Sequence, residues 1–106
     1  MRRAPSVLLL LILTLILGGL AGCSRDPNVR KQKYFESGQR YFEKGKFREA
    51  AIQYSNAIQV DSRFSDAHYH LALTYLRLGE LNRAYQELQR TIEIDPAKNV
   101  MIELYC

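Results

Sequence analysis

The strongest constraint on this chain is a repeat of 34 residues that fills most of the sequence after residue 30. A shift of 34 positions pairs residues of the same chemical class along both copies. The pairs are Phe35 and Tyr69, Gly38 and Ala72, Tyr41 and Tyr75, Gly45 and Gly79, Phe47 and Leu81, Ala50 and Ala84, Tyr54 and Leu88, Ile58 and Ile92, Val60 and Ile94, and Asp61 and Asp95. When residues of the same class recur at one fixed spacing along a chain, the chain is typically built of tandem units that pack on one another. The sequence therefore predicts a repeat protein.

Within each copy, apolar residues recur every three or four positions. This spacing is the period of an α-helix. Gly45 and Gly79 interrupt the pattern midway through the two copies, and glycine suits the left-handed backbone just past a helix end. Pro96 stands where the second copy must stop. Each copy therefore predicts a hairpin of two helices, and the predicted fold class is all-α.

The two copies are similar to the tetratricopeptide repeat. That family has small residues at three places, where two helix backbones approach closely. These places hold Gly38, Ala50 and Ala57 in the first copy and Ala72, Ala84 and Thr91 in the second. Tyr41 and Tyr75 fill a large place between them. The resemblance implies antiparallel helical hairpins stacked as an α-solenoid, with a first repeat at 31–64 and a second at 65–98.

The match to the family departs from its pattern at both ends of the array. The fourth place, usually a large apolar residue in the family, holds Tyr34 and then His68. Residues 99–106 resemble the start of a truncated third repeat, with Ile102 and Cys106 at motif places. We therefore expect a fragment of a longer array. Without more chain, the apolar residues of the last helix would be partly uncovered, namely Leu81, Tyr85, Leu88 and Ile92.

Residues 1–22 differ sharply in composition from the repeats. Two arginines give a cationic start, an apolar run begins at Val7, and small residues lead to Cys23. These are the three parts of a secretory signal. The alternative is an uncleaved transmembrane anchor, which needs about 20 predominantly apolar residues. The stretch from Val7 to Gly22 holds only 16 residues, which favours the signal.

The tetrapeptide Leu20-Ala21-Gly22-Cys23 resembles the lipobox of bacterial lipoproteins. The resemblance implies that residues 1–22 are a cleaved signal peptide and that lipid is attached to the Cys23 thiol. Residues 23–30 would then hold the lipidated cysteine and a linker. The mature chain would lie in the cell envelope, anchored to a membrane by its lipid. Ser24 follows the cysteine in place of aspartate, which favours the outer membrane, facing the periplasm, in a cell with two membranes.

Composition and motifs argue against several other classes of function. The net charge is +4, and both signs alternate along the predicted helices, whereas a nucleic-acid surface concentrates Lys and Arg on one face. His68 and His70 are two positions apart and point to different sides of a helix, so no metal site is predicted. The carboxylates read as solvent-exposed, namely Glu36, Glu43, Glu49, Glu87 and Glu93. No phosphate loop or catalytic motif is present. We expect no nucleic-acid partner, enzyme activity, cofactor or small-molecule substrate.

Candidate partner-binding residues follow from the resemblance to the tetratricopeptide family. Phe35, Gln39, Tyr69 and Leu73 occupy the fifth and ninth places of their copies, which line a concave groove in that family. The resemblance implies that they contact a protein or peptide, although core packing is the alternative for Phe35 and Tyr69. One groove type of the family holds a peptide carboxylate with lysine and asparagine at such places. Phe35 and Gln39 do not supply that pair, so that specificity is not expected.

Together, the anchor and the repeats predict a membrane-tethered scaffold for protein–protein interactions in the bacterial cell envelope. The repeats look most similar to those of lipoproteins in exopolysaccharide-associated export systems. The alternative is the amino-terminal part of a larger secretion component or enzyme, whose catalytic domain lies beyond residue 106.

Overall fold

The computed structural model describes residues 26–97 and four positions of the amino-terminal segment, 7, 9, 11 and 12. Residues 26–97 form four α-helices: α1 Pro27–Glu43, α2 Phe47–Val60, α3 Ser65–Leu78 and α4 Leu81–Ile94. Each helix packs on the next along the chain, so α1 with α2 and α3 with α4 form two hairpins that stack through α2 and α3. The predicted all-α fold of stacked helical hairpins is confirmed.

Several sequence predictions fall outside the described part of the chain. The proposed cleavage site and Cys23 lie there, and so do the residues of the predicted third repeat, 99–106. Among the residues that the structure does describe, no helix has both the length and the apolar character needed to cross a bilayer.

The first helix begins earlier than the repeat pattern indicated. The carboxylate of Asp26 accepts a hydrogen bond from the backbone N–H of Asn28 at 3.0 Å, which caps the amino end of α1. Pro27 stands in the first turn, where its missing N–H costs nothing. The linker predicted at 23–30 is therefore too long, because helix already occupies 27–30.

The two hairpins turn in the same way, 34 residues apart. Gly45 has φ of 76° and Gly79 has φ of 77°, the left-handed region that side chains other than glycine rarely adopt. Just after these glycines, the N–H groups of Lys46 and Glu80 donate to the carbonyls of Tyr41 and Tyr75, each at 2.9 Å. The predicted role of the glycines at helix ends is confirmed.

A close contact between α1 and α2 lies at the centre of the first hairpin. A Cβ atom placed on Gly38 would come within 2.6 Å of Cε1 of Tyr54, so only glycine fits there without displacement. The Tyr54 ring is 1% exposed. Burial, followed by the charge of Glu43, raises the pKa of Tyr54 to about 12. In the second copy the corresponding residues are Ala72 and Leu88. Alanine is larger than glycine and leucine is smaller than tyrosine, so the two changes in size offset each other.

Phe35 joins the first hairpin to the second. Its ring centroid lies 5.7 Å from that of Tyr54, 5.1 Å from that of Phe64 and 5.0 Å from that of His70. Such tilted and edge-on ring contacts add to the burial of apolar area. Phe35 is therefore a core residue that touches both hairpins.

An ion pair reinforces the same junction. The ammonium group of Lys31 on α1 donates to the carboxylate of Asp61 at 2.6 Å, and it lies 5.0 Å from the centre of the Phe64 ring. The hydrogen bond from Lys31, followed by that from the Arg63 N–H, lowers the pKa of Asp61. The lysine thus ties α1 to the turn between α2 and α3.

His68, which departs from the family pattern, is a buried polar link between elements. Its Nδ1 lies 2.6 Å from a carboxylate oxygen of Glu87 on α4, and its Nε2 lies 2.9 Å from the carbonyl oxygen of Ser62. Both neighbours are acceptors, and only the imidazolium carries two N–H donors. The expectation that Glu87 is merely solvated is wrong, because this carboxylate satisfies a histidine that is 5% exposed.

The charge state of His68 follows from these contacts. Desolvation by burial is the largest influence and lowers its pKa. The hydrogen bonds to Glu87 and to the Ser62 carbonyl, together with the charge of Glu87, outweigh burial and the nearby Arg90, so the pKa of His68 is raised. In the folded chain, therefore, His68 holds its proton to a higher pH than it does in the unfolded chain.

We predict that the free energy of unfolding falls as the pH rises from about 6.5, the usual histidine pKa, through the raised pKa of folded His68. The folded chain binds more protons than the unfolded chain in this pH window. The contribution of His68 to the free energy of unfolding is therefore complete at the acid end of the window and lost at the alkaline end. Glu87→Gln should flatten this dependence and lower stability by about 1.5–3 kcal/mol on the acid side. Urea unfolding followed by circular dichroism measures both effects.

The matched control for this prediction is Glu93→Gln. Glu93 also lies on α4, but it is exposed and pairs with Arg90 at the surface, where an ion pair contributes little. This variant should keep the pH dependence of the unchanged chain. A pH dependence that survives Glu87→Gln would show that His68 is not its source.

Candidate interaction surfaces

The structure divides the four predicted groove residues into two classes. Phe35 and Tyr69 are buried, at 8% and 6% exposed, and they offer little surface to a partner. Gln39 and Leu73 are half-buried. They lie one helical turn further along α1 and α3. The accessible part of the predicted groove is therefore formed by Gln39 and Leu73.

The burial of Phe35 and Tyr69 comes from residues that are distant in sequence. Phe64 and His70 cover Phe35 from the second hairpin. Tyr69 packs edge-on against the His70 ring, with centroids 5.5 Å apart. The helical period places Phe35 on an apolar face but does not show which residues cover that face. Because Phe35 and Tyr69 are buried, the structure supports core packing for both of them.

We call the side of the array that carries Gln39 of α1 and Leu73 of α3 the α1–α3 side. A cation and two aromatic rings meet about one helical turn beyond these residues, near the turns of the hairpins. The guanidinium carbon of Arg77 lies 5.9 Å from the ring centre of Phe42 and 6.0 Å from that of Phe47, a cation–π arrangement. Leu76 beside it is 37% exposed. Sequence reasoning missed this cluster, because the arginine and the rings belong to different copies of the repeat.

The outward face of α4 is apolar and open, as the sequence led us to expect. We call it the α4 face and define it by Leu81, Tyr85, Leu88 and Ile92. Leu81 is 67% exposed, Tyr85 62% and Ile92 47%; Leu88 is half-buried. At the same places in the first copy, Tyr54 is fully buried and the other three residues are half-buried, namely Phe47, Ala51 and Ile58. In the first hairpin, the corresponding face is covered by the second.

The histidines and carboxylates of residues 26–97 hydrogen-bond and pair within the array and do not gather into one site. No group of three or more His, Cys, Asp or Glu side chains in the described residues is placed to hold a metal ion. His68 has partners at both nitrogens, and Nδ1 of His70 lies 2.8 Å from the carbonyl oxygen of Asp66. The two histidines therefore belong to separate local structures.

Comparison with known proteins agrees with this architecture. Residues 38–79 match a family described as TPR repeat, and residues 65–98 match one described as tetratricopeptide repeat. The chain is also similar to "Hsp70-Hsp90 organizing protein 3" of Arabidopsis thaliana, with 31% identity over 72 residues, or 68% of this chain. The aligned part spans 13% of that plant protein.

The two matches overlap over residues 65–79. Together they run from the middle of α1 to just beyond the end of α4, and they cover more than half of the chain. Such repeats suggest a surface for binding other proteins. Residues 38–98 of this chain belong to the tetratricopeptide repeat family.

Proposed function

We propose that this chain is a lipid-anchored scaffold for protein–protein interactions in the bacterial cell envelope. The observation that supports the scaffold role is the stack of two tetratricopeptide hairpins. The exopolysaccharide-associated export systems, whose lipoproteins the repeats resemble, are the setting that we propose for it.

The anchor is proposed at Cys23. Support comes from the order of parts before it, a cationic start, an apolar run and small residues. A lipidated cysteine with two or more acyl chains gives stable attachment to a bilayer. With Ser24 next to it, the proposed location is the outer membrane, facing the periplasm, in a cell with two membranes.

The proposed partner is a protein or peptide that contacts the α1–α3 side. Gln39 and Leu73 are the accessible residues of the predicted groove, and the Arg77 cluster with Phe42 and Phe47 lies near the same side. The plant relative is named for organizing Hsp70 and Hsp90. The places of Phe35 and Gln39 hold neither lysine nor asparagine, so we propose a specificity other than a lysine–asparagine grip on a peptide carboxylate.

We propose that the α4 face is covered by the continuation of the array. In the 34-residue register, Met101, Ile102, Tyr105 and Cys106 correspond to Ala67, His68, Leu71 and Ala72 of α3. All four of these α3 residues are buried. Apolar or small side chains at each buried place support residues 99–106 as the first turns of a further helix on that face.

The anchor is tested by metabolic labelling with radioactive palmitate. The unchanged chain should incorporate the label, Cys23→Ala should lose it, and Cys106→Ala should keep it, because only the thiol at the lipobox is acylated. Fractionation should show Cys23→Ala released from the lipid-bound pool. Label that survives in Cys23→Ala would overturn the anchor.

The partner-binding side is tested by a photo-crosslinking amino acid in living cells. Placed at Gln39 or Leu73, it should give a discrete crosslinked product with the same partner. Placed at Gln59, an exposed residue of α2, it should give none. Equal crosslinking at all three positions, or at Gln59 alone, would show that the partner does not use the α1–α3 side.

A further inference from the structure

The outer face of α1 carries a basic stripe, which we define as Arg30, Lys33, Arg40 and Lys44. Steps of three, seven and four residues place these side chains on one side of a helix. Lys44 caps the helix with a helical backbone conformation, so it continues the same row. All four residues are exposed, and within residues 26–97 none of them takes part in an ion pair.

Two acidic residues of α1 lie along one edge of this stripe: Glu36 is three residues after Lys33 and four before Arg40, and Glu43 is three residues after Arg40. Glu36 accepts a hydrogen bond from Gln32 at 3.4 Å. Glu43 lies near enough to buried Tyr54 to raise the pKa of its hydroxyl further. Lys31 reaches across to Asp61. Four exposed cations against two exposed carboxylates leave the outer surface of α1 mixed in sign, with a net positive charge.

We propose that the basic stripe lies against the anionic phospholipid headgroups of the membrane that holds the chain. This proposal rests on the proposed anchor at Cys23. Three residues separate Cys23 from Pro27, so the four steps between their Cα atoms reach at most about 14 Å in extended chain. The stripe begins within the first turn of α1, so the anchor holds it next to the headgroups. Basic side chains within about 8 Å of an anionic surface are attracted to it at physiological salt.

The length and composition of α1 fit this arrangement. Seventeen residues give a helix of about 25 Å, and the stripe runs along nearly all of it. Val29, one turn before Lys33, is 40% exposed and adds an apolar contact at the end nearest the anchor. Nucleic acid or an acidic protein would also meet such a stripe, but the anchor places phospholipid within reach of it from the start.

The experiment uses the full lipidated chain in vesicles, with Ser37→Cys and Cys106→Ser. Residue 37 lies between Lys33 and Arg40 on the helix, and lipid on Cys23 leaves the new thiol free for a fluorophore. Quenching by neutral acrylamide reports how far the label is open to water. Vesicles of phosphatidylcholine alone are compared with vesicles that also contain phosphatidylglycerol. A matched chain carries the label at Gln59→Cys.

We expect phosphatidylglycerol to protect the label at residue 37 and to leave that at residue 59 unchanged. About 1 M salt, where the screening length falls to about 3 Å, should abolish the protection. Each basic residue near an anionic surface shifts the contact equilibrium by about fivefold, so Lys33→Gln with Arg40→Gln should shift it by about 25-fold. Arg63→Gln with Arg83→Gln removes the same charge elsewhere and should leave the protection intact.

The outcomes separate this proposal from the anchor. A second labelled thiol would show that Cys23 is not lipidated, which overturns the proposed anchor and this contact with it. A single labelled thiol whose quenching ignores phosphatidylglycerol would overturn the contact alone, and it would leave the stripe to another anionic partner. Equal loss of protection in the two double variants would also overturn it, because net charge and not the stripe would be the cause.

Discussion

The close approach of α1 and α2 at Gly38 is the contact on which the rest of the structure depends. The absence of a side chain lets the Tyr54 ring lie directly against the backbone of α1. Tyr54 in turn packs on Phe35, and Phe35 packs on Phe64 and His70 of the second hairpin. One small residue therefore sets the spacing within a hairpin, and through two rings it sets the stacking of one hairpin on the next.

The 34-residue period predicted the helices, their turns and the stacking, because it records which side of each helix is apolar. It did not predict what covers each side. The sequence made Phe35 a groove candidate, but Phe64 and His70 cover it. His68 departs from the family pattern of large apolar residues, and its contact with Glu87 explains why a histidine fits at that place. Both pairs join residues from different elements, so no local pattern contains them. The early start of α1 was readable in Asp26 and Pro27, a cap and a first-turn proline.

The two ends of the described array expose different kinds of side chain. The first helix presents exposed cations, whereas the last presents exposed Leu81, Tyr85 and Ile92. Charged surface remains in water or meets an anionic surface, while open apolar surface of this kind is normally covered in a repeat array. The charged end lies next to the proposed lipid anchor, and the apolar end leads into the residues that continue the 34-residue register. Between them, the α1–α3 side is left for a partner.

A double-mutant cycle at residues 38 and 54 tests most directly whether this contact sets the hairpin geometry. We predict that Gly38→Ala lowers the free energy of unfolding by about 1–3 kcal/mol, because the added methyl group displaces the Tyr54 ring. In a chain that already carries Tyr54→Leu, which copies the alanine–leucine pairing of the second repeat, the same substitution should cost far less. Additive effects would contradict the account. So would a Gly38→Ala variant stabilised by about 1 kcal/mol, the gain that alanine gives over glycine in an unconstrained helix.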